Sequence, residues 1–336
     1  MAYYEQQCTR EMREVYGAML RSVAAVESAI RIPMLSMEAL GEVYTRLRLD
    51  HPEIFYLTGF HVRHMPEAAY GELIPEYLFD KGKILSHRQA IATRVERLTR
   101  EVKGKSEEER IQFLHRFVVE NVRYDKLKKA YSHEAIGPLT QGVGVCEGIA
   151  KTVKLLADAL QIDCIVALSA AEEGKKYGHA WNVVKKGGKW YHMDCTFDLT
   201  LSQCGEARWD YFLLNDTQIF RDHVKSVYPI PECGDGNAFY YKTQKLSFTK
   251  PEDLTRRITQ AAKKKKPRFI FHWRGGYLTR EMLTELMRWI GAAAEEAGKG
   301  VSLSLNWPQA VFCLSFSDTP VESQILTMER ANEADE

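Results

Sequence analysis

The chain has 336 residues, which is long enough for two or three domains and a substantial hydrophobic core. Its 46 basic and 45 acidic residues leave a formal net charge of +1, which argues against nucleic acid or an anionic membrane as the main partner. The seven cysteines follow no disulfide-framework spacing, which favours a reducing compartment.

The N-terminus and the hydropathy pattern predict a cytoplasmic protein. The sequence starts Met-Ala-Tyr-Tyr-Glu-Gln-Gln, without the basic segment and apolar region of a signal peptide. No apolar run approaches the roughly 20 residues that cross a bilayer. We therefore expect neither export nor a membrane anchor.

Residues 1–100 are predicted to form a mainly helical N-terminal region. Apolar residues recur at helical spacing, and Asp50-His51-Pro52 marks the end of a helix. The predicted elements are a helix at Glu5–Ile30, a helix at Ser36–Leu49, a strand at Ile54–Leu57 and a helix at Arg88–Lys103.

Residues 101–250 are predicted to form the core that carries the chemistry. A helix at Glu107–Asn121 precedes a flexible approach, Gly142-Val143-Gly144, which leads to Cys146. Beyond Cys146, apolar residues recur at helical spacing from Ile149 to Leu160, so the cysteine stands at the start of a buried helix. The partial positive charge of a helix N-terminus favours a thiolate, the reactive form of a thiol whose ordinary pKa is about 8.5. The alternative for Cys146 alone is a buried structural cysteine.

A predicted β-hairpin brings a histidine and a carboxylate together. A buried strand at Ile162–Leu168 and a polar loop at 172–178 precede the strand His179–Val184. Gly187-Gly188 forms the turn, and Trp190–Thr196 returns as the antiparallel partner. His179 and Asp194 then lie near the same end of the hairpin, where Asp194 can orient the imidazole.

Residues 251–336 are predicted to form a small α/β C-terminal module. The lysines at 263–266 mark a boundary after a short helix, and they fit a solvated helix end better than a site for an acidic partner. The predicted elements are a strand at Arg268–Trp273, a helix at Thr279–Ala297, and strands at 301–305 and 310–316. The polar tail from Ser317 is expected to fray.

Three sequence blocks resemble the core of the transglutaminase-like superfamily, and more narrowly its bacterial members, which are often described as cysteine proteases. The blocks are Val145–Ala150, Gly178–Asn182 and Trp190–Asp198, and the resemblance spans roughly Arg110 to His223. It implies an α+β, papain-like fold in which the nucleophile helix packs on an antiparallel sheet. It also implies a triad of Cys146 as nucleophile, His179 as general base and acid, and Asp194 as the orienting carboxylate.

The sequence departs from the family pattern at two positions near this triad. Ile149 stands where an aromatic residue is usual, and Phe197 stands where a tryptophan is usual. Both substitutions keep an apolar residue, so they change the expected shape of the acyl pocket and leave the triad itself untouched.

Other residues near the triad admit two interpretations each. Gln141 is either an oxyanion-hole donor beside the backbone N–H of Cys146 or a turn residue. Trp181 is either a core aromatic or a shield for the His–Asp pair, and His192 either supports the triad or packs in the hairpin. His223, Cys204 and Cys233 lack the paired spacing of a chelating arm, so neither a metal nor any other cofactor is expected.

The sequence therefore predicts thiol-dependent acyl transfer on the amide bonds of a peptide or protein substrate. Water as the acceptor makes the enzyme a cysteine peptidase or deamidase, and an amine makes it a protein-glutamine transglutaminase. Hydrolysis is favoured because the chain has no recognisable lysine-substrate domain. The competing hypothesis is a non-catalytic peptide- or protein-binding scaffold on the same fold. No pattern indicates an oligomeric state.

Overall fold

The computed structural model describes residues 2–64, 70–171, 178–202, 206–318 and 326–329. The predicted polar loop before His179 and the cysteine at position 204 lie largely or wholly outside these ranges. No helix within them is long and apolar enough to cross a membrane.

The N-terminal region combines helices with an antiparallel sheet of strand order β1-β3-β2. Thr9 caps the first helix by accepting a hydrogen bond from the Met12 amide, and the helix ends before Val26, whose φ is 55°. The elements are α1 (Arg10–Ala24), β1 (Ile30–Pro33), α2 (Met37–Asp50), β2 (Leu57–His64), β3 (Tyr70–Tyr77) and α3 (Lys81–Thr99).

Several predictions for this region were wrong in detail. The predicted helix over 5–30 is shorter, because α1 spans only Arg10–Ala24, the chain turns at Val26, and Ile30 already begins β1. In the predicted strand Ile54–Leu57, Ile54 ends a 3-10 turn that Pro52 begins, the next two residues form a turn, and only Leu57 lies in β2. The last helix begins at Lys81 instead of Arg88, since the Asp80 side chain accepts a hydrogen bond from the Lys83 amide and caps it there.

The central region has the expected helix-on-sheet arrangement. Helix α5 packs against a sheet of order β6-β7-β8-β9, in which every pairing is antiparallel. The buried face of α5 includes Ile149, Val153 and Leu156. The elements are α4 (Glu107–Asn121), β4 (Arg123–Tyr124), β5 (Val143–Gly144), α5 (Cys146–Ala159), β6 (Cys164–Leu168), β7 (Ala180–Lys186), β8 (Lys189–Met193), α6 (Cys195–Leu201), β9 (Phe212–Leu214), α7 (Asp216–Ile219) and α8 (Tyr240–Thr243).

One boundary in the hairpin differs from the prediction and matters for the site. The returning strand was expected to extend to Thr196, but β8 ends at Met193 and a helix begins at Cys195. The Asp194 side chain accepts hydrogen bonds from the amides of Thr196 and Phe197, so the carboxylate caps this helix. Asp194 is therefore fixed by a helix end, whereas the prediction placed it within a strand.

The C-terminal region is a mixed sheet of order β10-β11-β13-β12-β14 with helices α9 and α10 packed together. It has its own apolar core, which includes Phe271, Leu286 and Phe312. The elements are β10 (Ser247–Phe248), α9 (Pro251–Lys263), β11 (Arg268–Trp273), α10 (Arg280–Glu296), β12 (Gly300–Asn306), β13 (Val311–Ser317) and β14 (Leu326–Glu329).

This region contains strands that the sequence did not indicate. The tail was expected to fray, but residues 326–329 pair in parallel with β12. The short strand β10 pairs in parallel with β11 from a segment assigned to the core. Both strands complete an edge of the sheet, and such long-range pairing has no local sequence signature.

Candidate active site

Cys146 is the first residue of helix α5 and is partly exposed. The residue before it, Val145, has no side chain that can accept the free amide hydrogens of the first helical turn. Those amides and the helix dipole therefore face an anion placed at Cys146. A Cβ added to Gly148 would stand 2.1 Å from the carbonyl oxygen of Ser132, so only glycine allows this helix start to pack so closely.

His179 lies directly before β7, and its backbone is fixed by Ser169. The Ser169 amide donates to the His179 carbonyl at 2.8 Å, and the Ser169 hydroxyl accepts from the His179 amide at 3.1 Å. The ring atom Nε2 is 2.6 Å from Oδ2 of Asp194. The other ring atom, Nδ1, is buried and has no hydrogen-bond partner among the described residues. It is therefore the nitrogen left for Cys146.

The charge on His179 is set by opposing effects. Burial alone lowers the pKa of the imidazole, but the Asp194 carboxylate and the neighbouring Cys146 sulfur together raise that pKa well above its usual range. The ring thus favours its protonated form, which is the form that pairs with a thiolate.

Asp194 is fully buried and accepts hydrogen bonds on both oxygens. Oδ1 accepts from the amides of Thr196 at 2.8 Å and Phe197 at 3.0 Å, while Oδ2 contacts both His179 and His223. Burial alone raises the pKa of this carboxyl group, yet the charge and hydrogen bond of His179 and the hydrogen bond of His223 hold it well below its usual range. Asp194 is therefore an anion held in place from several sides.

His223 is a member of the site that sequence reasoning missed. Its Nε2 lies 2.9 Å from Oδ2 of Asp194, and its Nδ1 lies 2.8 Å from Oδ1 of Asp222. Asp222 in turn accepts a hydrogen bond from the Tyr211 hydroxyl. Burial lowers the pKa of His223, but hydrogen bonds to the two carboxylates outweigh it and raise the pKa. Only the adjacent Asp222-His223 pair hinted at this role, because the contact with Asp194 spans 29 residues.

Trp181 and His192 form a second layer behind the catalytic candidates. The Trp181 ring lies nearly parallel to His179, with an interplanar angle of 14° and centroids 6.0 Å apart. Its indole N–H donates to Nδ1 of His192 at 3.0 Å, and Nε2 of His192 contacts Oδ1 of Asp216 at 2.8 Å. Because Nδ1 is an acceptor, Nε2 carries the proton of the neutral ring. Burial lowers the pKa of His192, in agreement with that neutral form.

Gln141, the predicted oxyanion-hole donor, lies apart from Cys146 and His179. Its side chain is exposed, and its amide nitrogen is 3.4 Å from Oγ1 of Thr140. The cavity beside Cys146 has a volume of about 280 Å³, and among the described residues its lining includes Tyr124, Lys128 and His133 but not Gln141. The structure thus brings Cys146, His179 and Asp194 together and leaves Gln141 outside the cavity that Cys146 and His179 line.

Glu147 belongs to an ion-pair network that connects the start of α5 to α2 and to Glu134. It lies 2.8 Å from Lys151 and 3.3 Å from Arg48 of α2. Lys151 is fully buried and also contacts both carboxylate oxygens of Glu134 at 2.9 Å. Burial alone raises the pKa of Glu147, but Lys151, His133 and Arg48 hold it far below its usual range. These cations offset the negative charge that Glu147 brings next to Cys146.

Two groups of described residues have metal-ligand atoms within 4.8 Å of one another: His179 with Asp194 and His223, and His192 with Asp216 and Cys233. In the second group, Nδ1 of His192 accepts the Trp181 N–H, so the neutral ring keeps its proton on the nitrogen that would have to bind the ion. In the first group, the same atoms form the His–Asp–His hydrogen bonds. His223 and Cys233, which the sequence analysis considered together and did not expect to bind a metal, belong to different groups.

Comparison with known proteins gives a match over the part of the chain that carries the site. A family model described as the transglutaminase-like superfamily matches residues 93–195. Among solved structures, a TGase is 14% identical with a TM-score of 0.30, over 59% of this chain and 60% of that chain. A "putative cysteine protease" from Cytophaga hutchinsonii is 15% identical with a TM-score of 0.27, over 41% of this chain and 61% of that chain. The chain thus spans about three fifths of each of these two proteins. No curated protein matches it.

Proposed function

We propose that the protein is a cysteine-dependent acyl-transfer enzyme that acts on amide bonds of peptides or proteins, because residues 93–195 match the model of the transglutaminase-like superfamily. The observation that carries the proposal is the arrangement of the His179 ring. One nitrogen is hydrogen-bonded to the buried Asp194 carboxylate. The other is buried and makes no hydrogen bond of standard geometry to a described residue, and the Cys146 sulfur is close enough to help raise the pKa of the ring.

The proposed reaction has two steps, acylation and deacylation, and Cys146, His179 and Asp194 take part in both. The Cys146 thiolate attacks the amide carbonyl carbon, and the backbone amides at the start of α5 stabilise the oxyanion. The C–N bond breaks, His179 gives its proton to the departing amine, and an acyl-thioester forms. Water then attacks the thioester while His179 accepts its proton, the C–S bond breaks, and the carboxylic acid leaves, which restores the Cys146 thiolate beside the protonated His179. Asp194 keeps the imidazole in the orientation that serves both steps.

Hydrolysis is the outcome that we favour over transfer to an amine. The cavity beside Cys146 has a volume of about 280 Å³, and the side chain of His179 keeps 16% of its surface exposed. Water therefore has access to the reacting atoms without any change of structure. We propose a peptidase or deamidase, with transglutaminase activity as the outcome that the substrate assay below distinguishes.

The first test measures the reactivity of Cys146 without a substrate. The protein is alkylated with iodoacetamide from pH 5 to pH 9, and the modified cysteines are mapped by mass spectrometry. We expect Cys146 to react at least about tenfold faster than the buried Cys8, Cys164 and Cys195 at pH 6 to 7, because an imidazolium stabilises its thiolate. His179→Ala should slow the reaction of Cys146 at pH 6 to 7 to that of an ordinary accessible thiol, whereas His61→Ala, at an exposed position on β2, should keep the wild-type rate.

The second test identifies the acceptor with casein and a fluorescent primary amine. New amino termini indicate a peptidase, released ammonia with no amine incorporation indicates a deamidase, and incorporated amine indicates a transglutaminase. Cys146→Ala should remove all of these products and leave the unfolding temperature within about 2 °C of the wild type. Turnover that survives in Cys146→Ala would refute the mechanism. Equal alkylation of Cys146 and the buried cysteines would instead favour the scaffold hypothesis.

A further inference from the structure

A second, larger cavity lies where the central region meets the C-terminal region. It has a volume of about 780 Å³ and is lined by residues between 215 and 221, by Lys242, and by residues from the segments 272–278 and 307–310. The two regions are joined beside it, because the Gln309 amide donates to the Gln218 carbonyl at 3.1 Å. None of the described lining residues belongs to the cavity at Cys146.

The charged side chains on this cavity are all basic. Arg221, Lys242 and Arg274 line it, and its described lining contains no aspartate or glutamate. Each cation is held by a neutral acceptor: Arg221 by the Pro308 carbonyl at 3.1 Å, Lys242 by the Gly236 carbonyl at 2.8 Å, and Arg274 by the Ser247 hydroxyl at 3.1 Å. Within the described part of the chain, none of the three forms an ion pair, so their charges are not neutralised by the protein.

Further basic residues extend the positive charge to one side. An adjoining cavity of about 590 Å³ shares Lys242 and Arg274 and adds Lys245, Arg256 and Arg257. One acidic residue, Asp253, also lines it, and Asp253 pairs with Arg256 at 2.7 Å. The positive potential around Arg274 therefore arises from several side chains at once.

A buried donor without an acceptor lies in the same wall. Trp273 is 2% exposed, lines the larger cavity, and its indole Nε1–H has no acceptor among the described residues. Leaving a buried N–H unpaired costs about 1–3 kcal/mol, and the acceptor that satisfies this one comes from a water or from a ligand bound at this wall. The positive charge of these cations also affects the neighbouring His272. Its pKa is lowered to about 3 by burial and by the charges of Arg221, Lys242 and Arg274.

Aromatic surfaces accompany these donors. Trp307 is half-buried and Tyr277 is 93% exposed, and both line the cavity. We propose that this cavity binds a small anion that carries a phosphate or carboxylate group next to an aromatic ring. The anionic oxygens would accept from Arg221, Lys242, Arg274 and the Trp273 indole, and the ring would pack against Trp307 and Tyr277. This site is separate from Cys146 and does not depend on the proposed catalysis.

Isothermal titration calorimetry on the full chain at low salt tests this proposal. The probes are two ring-bearing anions, adenosine 5′-monophosphate and indole-3-acetate, with their neutral counterparts adenosine and indole-3-acetamide. We expect at least one anion to bind with 1:1 stoichiometry, and its neutral counterpart to bind at least tenfold more weakly. Binding of the phosphate probe alone identifies phosphate as the recognised group, and binding of indole-3-acetate alone identifies carboxylate.

Variants connect the binding to the named side chains. Arg274→Gln and Lys242→Gln should each weaken the anion at least tenfold, and Trp273→Phe, which keeps a ring but removes the N–H donor, should weaken it severalfold. Arg97→Gln makes the same charge change at an exposed position of α3 outside the cavity and should leave the affinity unchanged. Unfolding temperatures confirm that each variant is folded. The proposal is refuted if neither anion binds, if the neutral probes bind equally well, or if Arg274→Gln and Lys242→Gln leave the affinity unchanged.

Discussion

At the scale of single residues, His223 gives the Asp194 carboxylate a second imidazole partner besides His179. Both ring nitrogens of His223 contact carboxylate oxygens, which requires both to carry hydrogen. Asp194 therefore lies between two imidazole rings whose centroids are 5.3 Å apart. We infer that His223 is a positioning residue, because it fixes the carboxylate that orients His179 and touches no reacting atom.

Replacing His223 should affect both stability and the charge of His179. His223→Ala removes an imidazole donor from the buried Asp194, which keeps His179, and from the partly buried Asp222, which keeps the Tyr211 hydroxyl. We therefore expect a loss of about 1–3 kcal/mol in unfolding free energy and slower alkylation of Cys146. His223→Gln restores one donor and should recover part of the stability.

The His223→Gln variant also provides a readout that a purely structural role would not move. It removes a positive charge that repels His179, so the pKa of His179, followed by NMR of the ring, should rise above the wild-type value. A His179 pKa that stays constant or falls would contradict this role for His223.

At the scale of elements, the start of α5 depends on close packing against the segment around Ser132. The Ser132 carbonyl accepts a hydrogen bond from the Val145 amide at 3.0 Å, and the same oxygen occupies the space that a side chain at Gly148 would need. The first turn of the helix, and with it Cys146, is therefore located by backbone contact.

Gly148→Ala tests this packing, because helix propensity predicts that the substitution stabilises the protein and the steric clash predicts that it destabilises it. Alanine favours a helix over glycine by up to about 1 kcal/mol, but the clash at 2.1 Å should dominate and destabilise the protein by about 1–3 kcal/mol. The matched control is Gly41→Ala in α2, where a Cβ would meet nothing within 4 Å and should be neutral or stabilising. Denaturant unfolding measures both, and equal effects of the two substitutions would contradict the packing argument.

At the scale of the whole molecule, His272 should make stability depend on pH. Burial and the charges of Arg221, Lys242 and Arg274 lower the folded pKa of His272 to about 3, whereas an unfolded histidine titrates near 6.5. Between these values the unfolded chain binds a proton that the folded chain does not. The stability contributed by His272 is therefore fully present above about pH 6.5 and is lost progressively as the pH falls toward 3.

The measurement is the fall in unfolding temperature from pH 7.5 to pH 4.5. His272→Gln cannot take up this proton, and its amide can still bond the Ser247 hydroxyl, so its unfolding temperature should fall less than that of the wild type. His61→Gln at an exposed position should show the wild-type fall. If His272→Gln loses as much stability as the wild type, the acid sensitivity arises elsewhere.

Local patterns were sufficient to identify the catalytic candidates. The helical spacing after Cys146 predicted α5, and the Gly187-Gly188 turn predicted the β7–β8 hairpin, which carries His179 and Asp194 at one end. Helix periodicity and a two-residue turn are set by neighbouring residues, so the sequence alone determined these elements. The domain limits at residues 100 and 250 stay predictions.

Only the tertiary structure decided what surrounds those candidates. It brought His223 to Asp194 across 29 residues, placed Gln141 outside the Cys146 cavity, and assembled a basic cavity from segments near 218, 274 and 308. It also added strands β10 and β14 to the edges of the C-terminal sheet. These features depend on how distant segments pack, and a single sequence carries no local period or spacing from which such packing can be read.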